Sequence, residues 1–283
     1  MPRLLLLLAL FVSSPVHAID PGGRLLATGG VSQIEGAAGG GLTPWALIAG
    51  YGTDRQVGVT VFGTTVLPAD FDLVAGGVAV GIRDRVEISY ARHRFGLGST
   101  VPGQTISQDI VGLKVKVLGD AVFDQDRWWP QVAVGLQYKH NQDMAVPTLL
   151  GAKRSEDFDF YVSATKVWFA ALLGRNVLLN GTLRATRANQ FGLLGFGGDL
   201  NDHHQVVPEV SAGVFLNDRW VLGAEYRQKP NNLGAFREDA IHDVFIAWFP
   251  LKMLSITGAY ADLGRIADKD NQRAVYLSFQ LAF

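Results

Sequence analysis

"AVYLSFQLAF", residues 274–283, closes the chain. Val275, Leu277, Phe279, Leu281 and Phe283 alternate there with Tyr276, Ser278, Gln280 and Ala282. Strict alternation marks a strand with two unlike faces. A terminus that is still strand at its last residue needs a partner strand, because free ends fray. The stretch is therefore expected to lie inside a sheet.

The same pattern recurs upstream. Val86, Ile88 and Tyr90 alternate with Glu87 and Ser89, and Val111, Leu113, Val115 and Val117 with Gly112, Lys114 and Lys116. Val132, Val134, Leu136 and Tyr138 alternate with Gln137 and Lys139, and Trp220, Leu222, Ala224 and Tyr226 with Glu225 and Arg227. A sandwich would alternate too, so the connections decide. Short joints at 52–56, 82–86, 124–128, 173–177, 216–220 and 250–253 alternate with longer ones at 96–103, 141–155, 189–203, 229–239 and 263–272. Tight turns at one end and long loops at the other are the stringing of a transmembrane barrel.

The expected fold is all-β, a transmembrane antiparallel up-and-down β-barrel. With residue 283 periplasmic, six short turns account for thirteen strands, the first running inward near 43–53. An even count requires an outward strand before it, at 24–36. That makes about 14 strands, with 12 plus an N-terminal plug as the alternative.

Aromatic side chains sort by depth on this threading. Trp45, Tyr90, Tyr138, Tyr226 and Tyr260 fall at the external boundary, and Trp128, Trp129, Trp168, Trp220, Trp248 and Phe283 at the other. Two girdles suit amphipathic rings at membrane interfaces. By parity the lumen receives Glu87, Lys114, Lys116, Gln137, Lys139, Arg184, Glu209, Glu225, Arg227 and Asp243. The opposite register would put Lys114 and Lys116 in lipid, at roughly 2–4 kcal/mol each at mid-depth.

Composition agrees. The 283 residues are 48% hydrophobic and only 18% charged, with 33 glycines, 16 phenylalanines and no cysteine. Disulfides and thiolate metal sites are excluded. Twenty-five basic against 26 acidic residues supply no field to draw nucleic acid. Residues 1–18, with Arg3, an apolar run over 4–12 and a small-residue site ending at Ala18, read as a signal peptide. Residues 19–283 then form the barrel, exported through the periplasm to the bacterial outer membrane.

Three stretches carry a resemblance: "LLATGGVSQIEGAAGGGLTPWALIAGYGT" (25–53), "RVEISYARHRF" (85–95) and "ISQDIVGLKVKVLGDAVFDQDRWWPQVAVGLQYK" (106–139). In these the chain resembles a family of uncharacterised proteobacterial outer-membrane proteins, the domain of unknown function 3034. The resemblance implies a location and a barrel-like fold. It implies no activity, substrate or site residue.

Other motifs say less. The glycine-rich stretch at 22–41 lacks the strand, helix start and Lys or Ser/Thr of a phosphate loop. It reads as an external turn, or as backbone held close inside the barrel. Asp199, Asn201, Asp202, His203 and His204 share one loop and could gather a divalent cation, although their spacing is not that of a calcium loop. A solvated polar loop is the plainer reading. His93, His140 and His242, with Ser89 and Ser163, form no recognised catalytic order.

No cofactor is called for. The expected partners are outer-membrane lipid, the barrel-assembly machinery through the C-terminal strand, and a small solute. A porin-like channel or solute-binding barrel is the expected function, against a structural barrel with a plugged lumen and a lipid-modifying enzyme.

Overall fold

The computed structural model describes residues 23–283, and the leader expected at 1–18 lies outside them. Two short strands, β1 (Val31–Ser32) and β2 (Ala38–Gly39), pair only with each other. The other twelve close into an antiparallel barrel. They are β3 (Val57–Pro68), β4 (Asp72–Ile82), β5 (Val86–Gly96), β6 (Thr105–Leu118), β7 (Gln131–Asn141) and β8 (Glu156–Leu172), then β9 (Arg175–Thr186), β10 (Gln205–Asn217), β11 (Trp220–Arg227), β12 (Ile241–Leu251), β13 (Leu254–Asp262) and β14 (Arg273–Ala282).

The C-terminal strand is the closing one. β14 pairs with β3 from Ala274 opposite Pro68 to Ala282 opposite Thr60. The Phe283 carbonyl accepts from the Val59 and Tyr51 amides, and its own amide donates to Val59 at 2.7 Å. Val275, Leu277, Phe279 and Leu281 face outward, while Tyr276, Ser278 and Gln280 are buried inside. Closure leaves no free edge.

Twelve strands with an N-terminal plug, the alternative count, stand in place of fourteen, and the twelve are those expected from residue 57 onward. The two overturned are 24–36 and 43–53. Neither joins the wall: from Thr28 to Gly52 every residue is buried, with none of the in-out alternation of a wall strand. Pro44 lacks an amide for a ladder, and Gly36 and Gly50 take left-handed conformations that bend the chain back. This segment fills the lumen, and the joint at 52–56 leads from it into β3. Trp45 goes with it. Instead of marking the external boundary, its indole lies in the lumen and donates to Ser211 Oγ at 2.9 Å.

The expected short joint at 124–128 is part of a twelve-residue connection, 119–130, that folds back into the turn end. Ala121 there packs with Trp45 and Leu47. At the other end run the loops 97–104, 142–155 with a short helix α1 (Ala145–Leu149), 187–204, 228–240 and 263–272.

Aliphatic side chains cover the outside of the wall, as at Ile88, Leu113, Val134 and Val210. An apolar belt this continuous exceeds what a water-soluble surface tolerates. Toward the loop end the belt stops at phenols. Tyr90 Oη donates to Asp109 at 2.7 Å, Tyr138 Oη bonds to Glu156, and Arg92 and Gln142 lie beside Asp109. Tyr226 on β11 and Tyr260 on β13 are exposed as well. Toward the turn end Trp220 stacks on Trp248 at 5.3 Å, Trp128 meets Trp129 edge-on, and Trp168 and Phe283 are exposed.

Leu113 stands mid-belt, between Ile88 and Leu136. Leu113→Arg should lower the unfolding free energy from lipid vesicles by about 2–4 kcal/mol, and Val206→Arg, near the loop end, by about 0–1. Equal losses at the two positions would refute the assigned depth.

Candidate functional site

Nine of the ten side chains assigned inward by parity are buried within the wall: Glu87, Lys114, Gln137, Lys139, Arg184, Glu209, Glu225, Arg227 and Asp243. Lys116 lies at the turn-end rim, bonded to Asp84. Asp157 and Asp159 on β8 also point inward; the alternation "DFDF" at 157–160 carries that signal, and the inward set above omits it.

The N-terminal segment meets these groups with its backbone. Lys114 Nζ donates to the carbonyls of Ala38 (2.8 Å), Leu47 (2.7 Å) and Trp45 (3.2 Å). Its partner Glu87, 3.1 Å away, accepts the amides of Ala38 and Ala49. Glu225 accepts the Leu42 amide and the Thr43 hydroxyl, each at 2.8 Å. A Cβ on Gly40 would fall 2.0 Å from Glu225 Oε1, so only glycine lets the backbone come this close. Ser163 and Thr182 donate to the Pro44 carbonyl, and Gln131 donates to that of Ala46. At the turn end Arg24 spans Asp84 and the Ile48 and Gly50 carbonyls.

One plug side chain joins the ionic network directly. Glu35 is fully buried among Lys139, Arg227 (2.8 Å) and Arg184 (3.7 Å). The wall adds Asp159, 2.7 Å from Lys139 and 3.3 Å from Arg184, and Glu209 against Arg184 and Arg227. Apolar anchors accompany it: Val31 packs on Phe245 and Phe249, and Ile34 and Leu42 join a cluster with Phe62 and Tyr276.

From the loop end a second element enters. Residues 187–204 dip inward through a 3-10 turn (Asn189–Gly192), with Phe191, Leu193, Leu194 and Phe196 buried. Gln190 and Phe191 both adopt positive φ, 45° and 64°, which is strained for residues with side chains. The Gln190 amide donates to both oxygens of Glu238, Lys229 Nζ donates to Gln190 Oε1 at 3.0 Å, and Arg227 lies 4.2 Å over the Phe191 ring. Asn141 holds the Leu193 carbonyl at 2.7 Å. The void left between this tip and the wall, beside Arg184, Arg227 and Lys229, is about 10 Å³, room for one water at most. The apolar run at 191–196 was the signal for this insertion.

The loop residues weighed for a cation are spread over separate tasks. Asp202 pairs with Arg154, which holds its carboxyl below the usual range. Asp199 accepts the Gly234 amide, which does the same. His204 bonds to the Phe158 carbonyl, and His203 is exposed. Among the described residues no three His, Asp or Glu side chains converge. Of the other histidines, His93 turns to the Ile34 carbonyl at 2.7 Å. Ser163 is taken up by Pro44 and Thr182, and Ser89 is buried.

A family model described as "Protein of unknown function (DUF3034)" matches residues 28–280. The chain belongs to that family. No curated protein matches the sequence. Among solved structures the KdgM porin is similar, with a TM-score of 0.52 at 7% identity over 79% of this chain and 99% of that one. The KdgM porin in complex with disordered oligogalacturonate gives 0.51 at 8% identity, again over 79% and 99%. At such identities the likeness is one of fold, a porin-like barrel.

The loop latch titrates. Burial raises the Glu238 carboxyl to about 7 against the lowering pull of Lys229, with Asp239 adding to the rise. In an open, hydrated loop Glu238 would sit near its ordinary 4.5. The closed loop therefore binds the Glu238 proton more tightly, and closure weakens as pH rises from about 4.5 to about 7. Hydrogen exchange at Gly192–Phe196, corrected for intrinsic rates, should show several-fold more opening at pH 7.5 than at pH 5. Glu238→Gln should flatten that slope; an unchanged slope would contradict the assignment.

Proposed function

We propose that this protein is an outer-membrane solute channel held closed by its own N-terminal segment. The observation that carries this reading is the character of the plug–wall contact. Carbonyls and amides between residues 38 and 49 end on lysine, glutamate, glutamine and hydroxyl side chains of the wall. Replacing such ion pairs by apolar packing usually costs nothing or stabilises. A lumen meant only to stay sealed gains little from them. The same side chains have an evident use when water takes the place of the plug.

An outer-membrane location is supported by the closed wall, the apolar belt, and the even strand number with both barrel ends on the turn side. The C-terminal strand, exposed until closure, is our candidate for the segment read by the assembly machinery. KdgM, with the same fold, is a porin solved with oligogalacturonate. That makes a polar solute a reasonable cargo class here.

The apolar anchors at Val31, Ile34 and Trp45 favour a second reading, a permanently plugged structural barrel. Planar-bilayer recording separates the two. Glu87→Met with Lys114→Met removes the salt bridge and its anchors on the Ala38, Trp45, Leu47 and Ala49 backbone while leaving lumen charge balanced. The double variant should raise mean channel current at least about ten-fold over the full-length parent. Equal silence in both, with the barrel intact, would favour the structural reading and overturn the channel.

A further inference from the structure

The group around Glu35 has the make-up of a receptor with a ligand in place. On the wall, Lys139, Arg184 and Arg227 carry three positive charges, and Asp159 and Glu209 two negative ones. The wall alone is thus left at plus one. Glu35 brings the cluster to neutrality, one carboxylate oxygen toward Lys139 and the other 2.8 Å from Arg227. All six side chains are almost completely shielded from solvent.

The cations are held in place by groups other than Glu35. Arg184 lies 5.1 Å over the Tyr161 ring and bonds to Gln137 Oε1 at 2.7 Å. Arg227 is stacked on Phe191. A carboxylate that left would leave behind an oriented set of donors, the arrangement that gives charge-assisted bonds their strength.

Unused polar atoms lie in the same cluster. Gln137 Nε2 and Asp159 Oδ1, on residues directly opposed between β7 and β8, are buried without a hydrogen-bond partner. Buried polar atoms are normally satisfied. A free donor and a free acceptor next to a carboxylate-binding cation set match a molecule that carries hydroxyls as well as a carboxylate.

Resting on the channel reading above, we propose that Lys139, Arg184 and Arg227 form the binding site for the solute, a polyhydroxylated organic acid, and that Glu35 occupies it as a tethered stand-in. The solute carboxylate exchanges for that of Glu35 with no change in net charge. Exchange frees Glu35 and with it the plug segment that it anchors. A tethered competitor acts at an effective concentration of about millimolar even on a flexible linker, so displacement requires solute in at least that range.

Glucuronate and glucose, alike but for the carboxylate, are the probes, with ionic strength held constant. Calorimetry on the full-length protein should show glucuronate binding Glu35→Gln at least ten-fold more tightly than the parent, and glucose binding neither. Adding Arg227→Gln to Glu35→Gln should abolish glucuronate binding. The chain has no cysteine, so Ala37→Cys, buried in the plug, reports displacement. Its maleimide labelling should speed up several-fold with millimolar glucuronate and not with glucose. Equal glucuronate affinity in Glu35→Gln and parent, or no binding to either, would overturn the site. If the Glu87→Met/Lys114→Met channel still opened, the channel reading would survive that failure.

Discussion

Inside a closed twelve-strand wall, every charged side chain on the inner face must find a partner other than bulk water, or the lumen must hold water. The strands place Glu87, Lys114, Lys139, Asp159, Arg184, Glu209, Glu225 and Arg227 there. Residues 24–51 satisfy Glu87, Lys114 and Glu225 largely with backbone, and Glu35 completes the ion pairs that Lys139, Arg184 and Arg227 make with Asp159 and Glu209. A segment that filled this space with apolar side chains alone would strand those charges at several kcal/mol each. Gly40 follows from that demand, since close backbone approach to Glu225 leaves no room for a side chain, while at Gly39 the obstacle is the plug's own backbone at Thr43 and Pro44.

Two closures in series result. The N-terminal segment occupies the barrel from the turn end, and the tip at 189–196 covers the loop end. They touch the same cations: Arg227 bonds to Glu35 on one side and stacks on Phe191 on the other. Lys139 likewise reaches Glu35 and the Phe191 carbonyl. Movement of either element therefore alters the ion pairs that hold the other, so the two closures are coupled through named contacts. The left-handed Gln190 and Phe191 give the loop tip a conformation that persists only while Glu238, Lys229 and Asn141 hold it.

The wall was legible in the sequence because a period of two states which side chain faces which medium. The barrel strands from Val57 onward follow from that rule, and so does the facing of most of their charged side chains, Asp157 and Asp159 being the pair that the parity set omits. The N-terminal segment was harder to read for a physical reason. Buried on all sides, it has no second medium to impose alternation, and its length and glycine content also suit a strand. Pro44 and the three consecutive glycines are the local features that disfavour a ladder, and Trp45 resembled a girdle residue because that is the commonest place for a tryptophan in a membrane barrel. Glu35 escaped notice because its role depends on Lys139, Arg184 and Arg227, which lie 104 to 192 residues away. Non-local ionic contacts leave no periodic trace.

In the proposed channel, the plug closes a conducting lumen and leaves it on opening. The Thr43 and Ser211 hydroxyls touch, one on the plug and one on the wall. With no native cysteine, Thr43→Cys with Ser211→Cys gives one disulfide that locks them together. Single-channel recording should show no openings while the pair is oxidised, and openings after reduction in the same bilayer. Openings of equal frequency and size in the oxidised state would contradict the account.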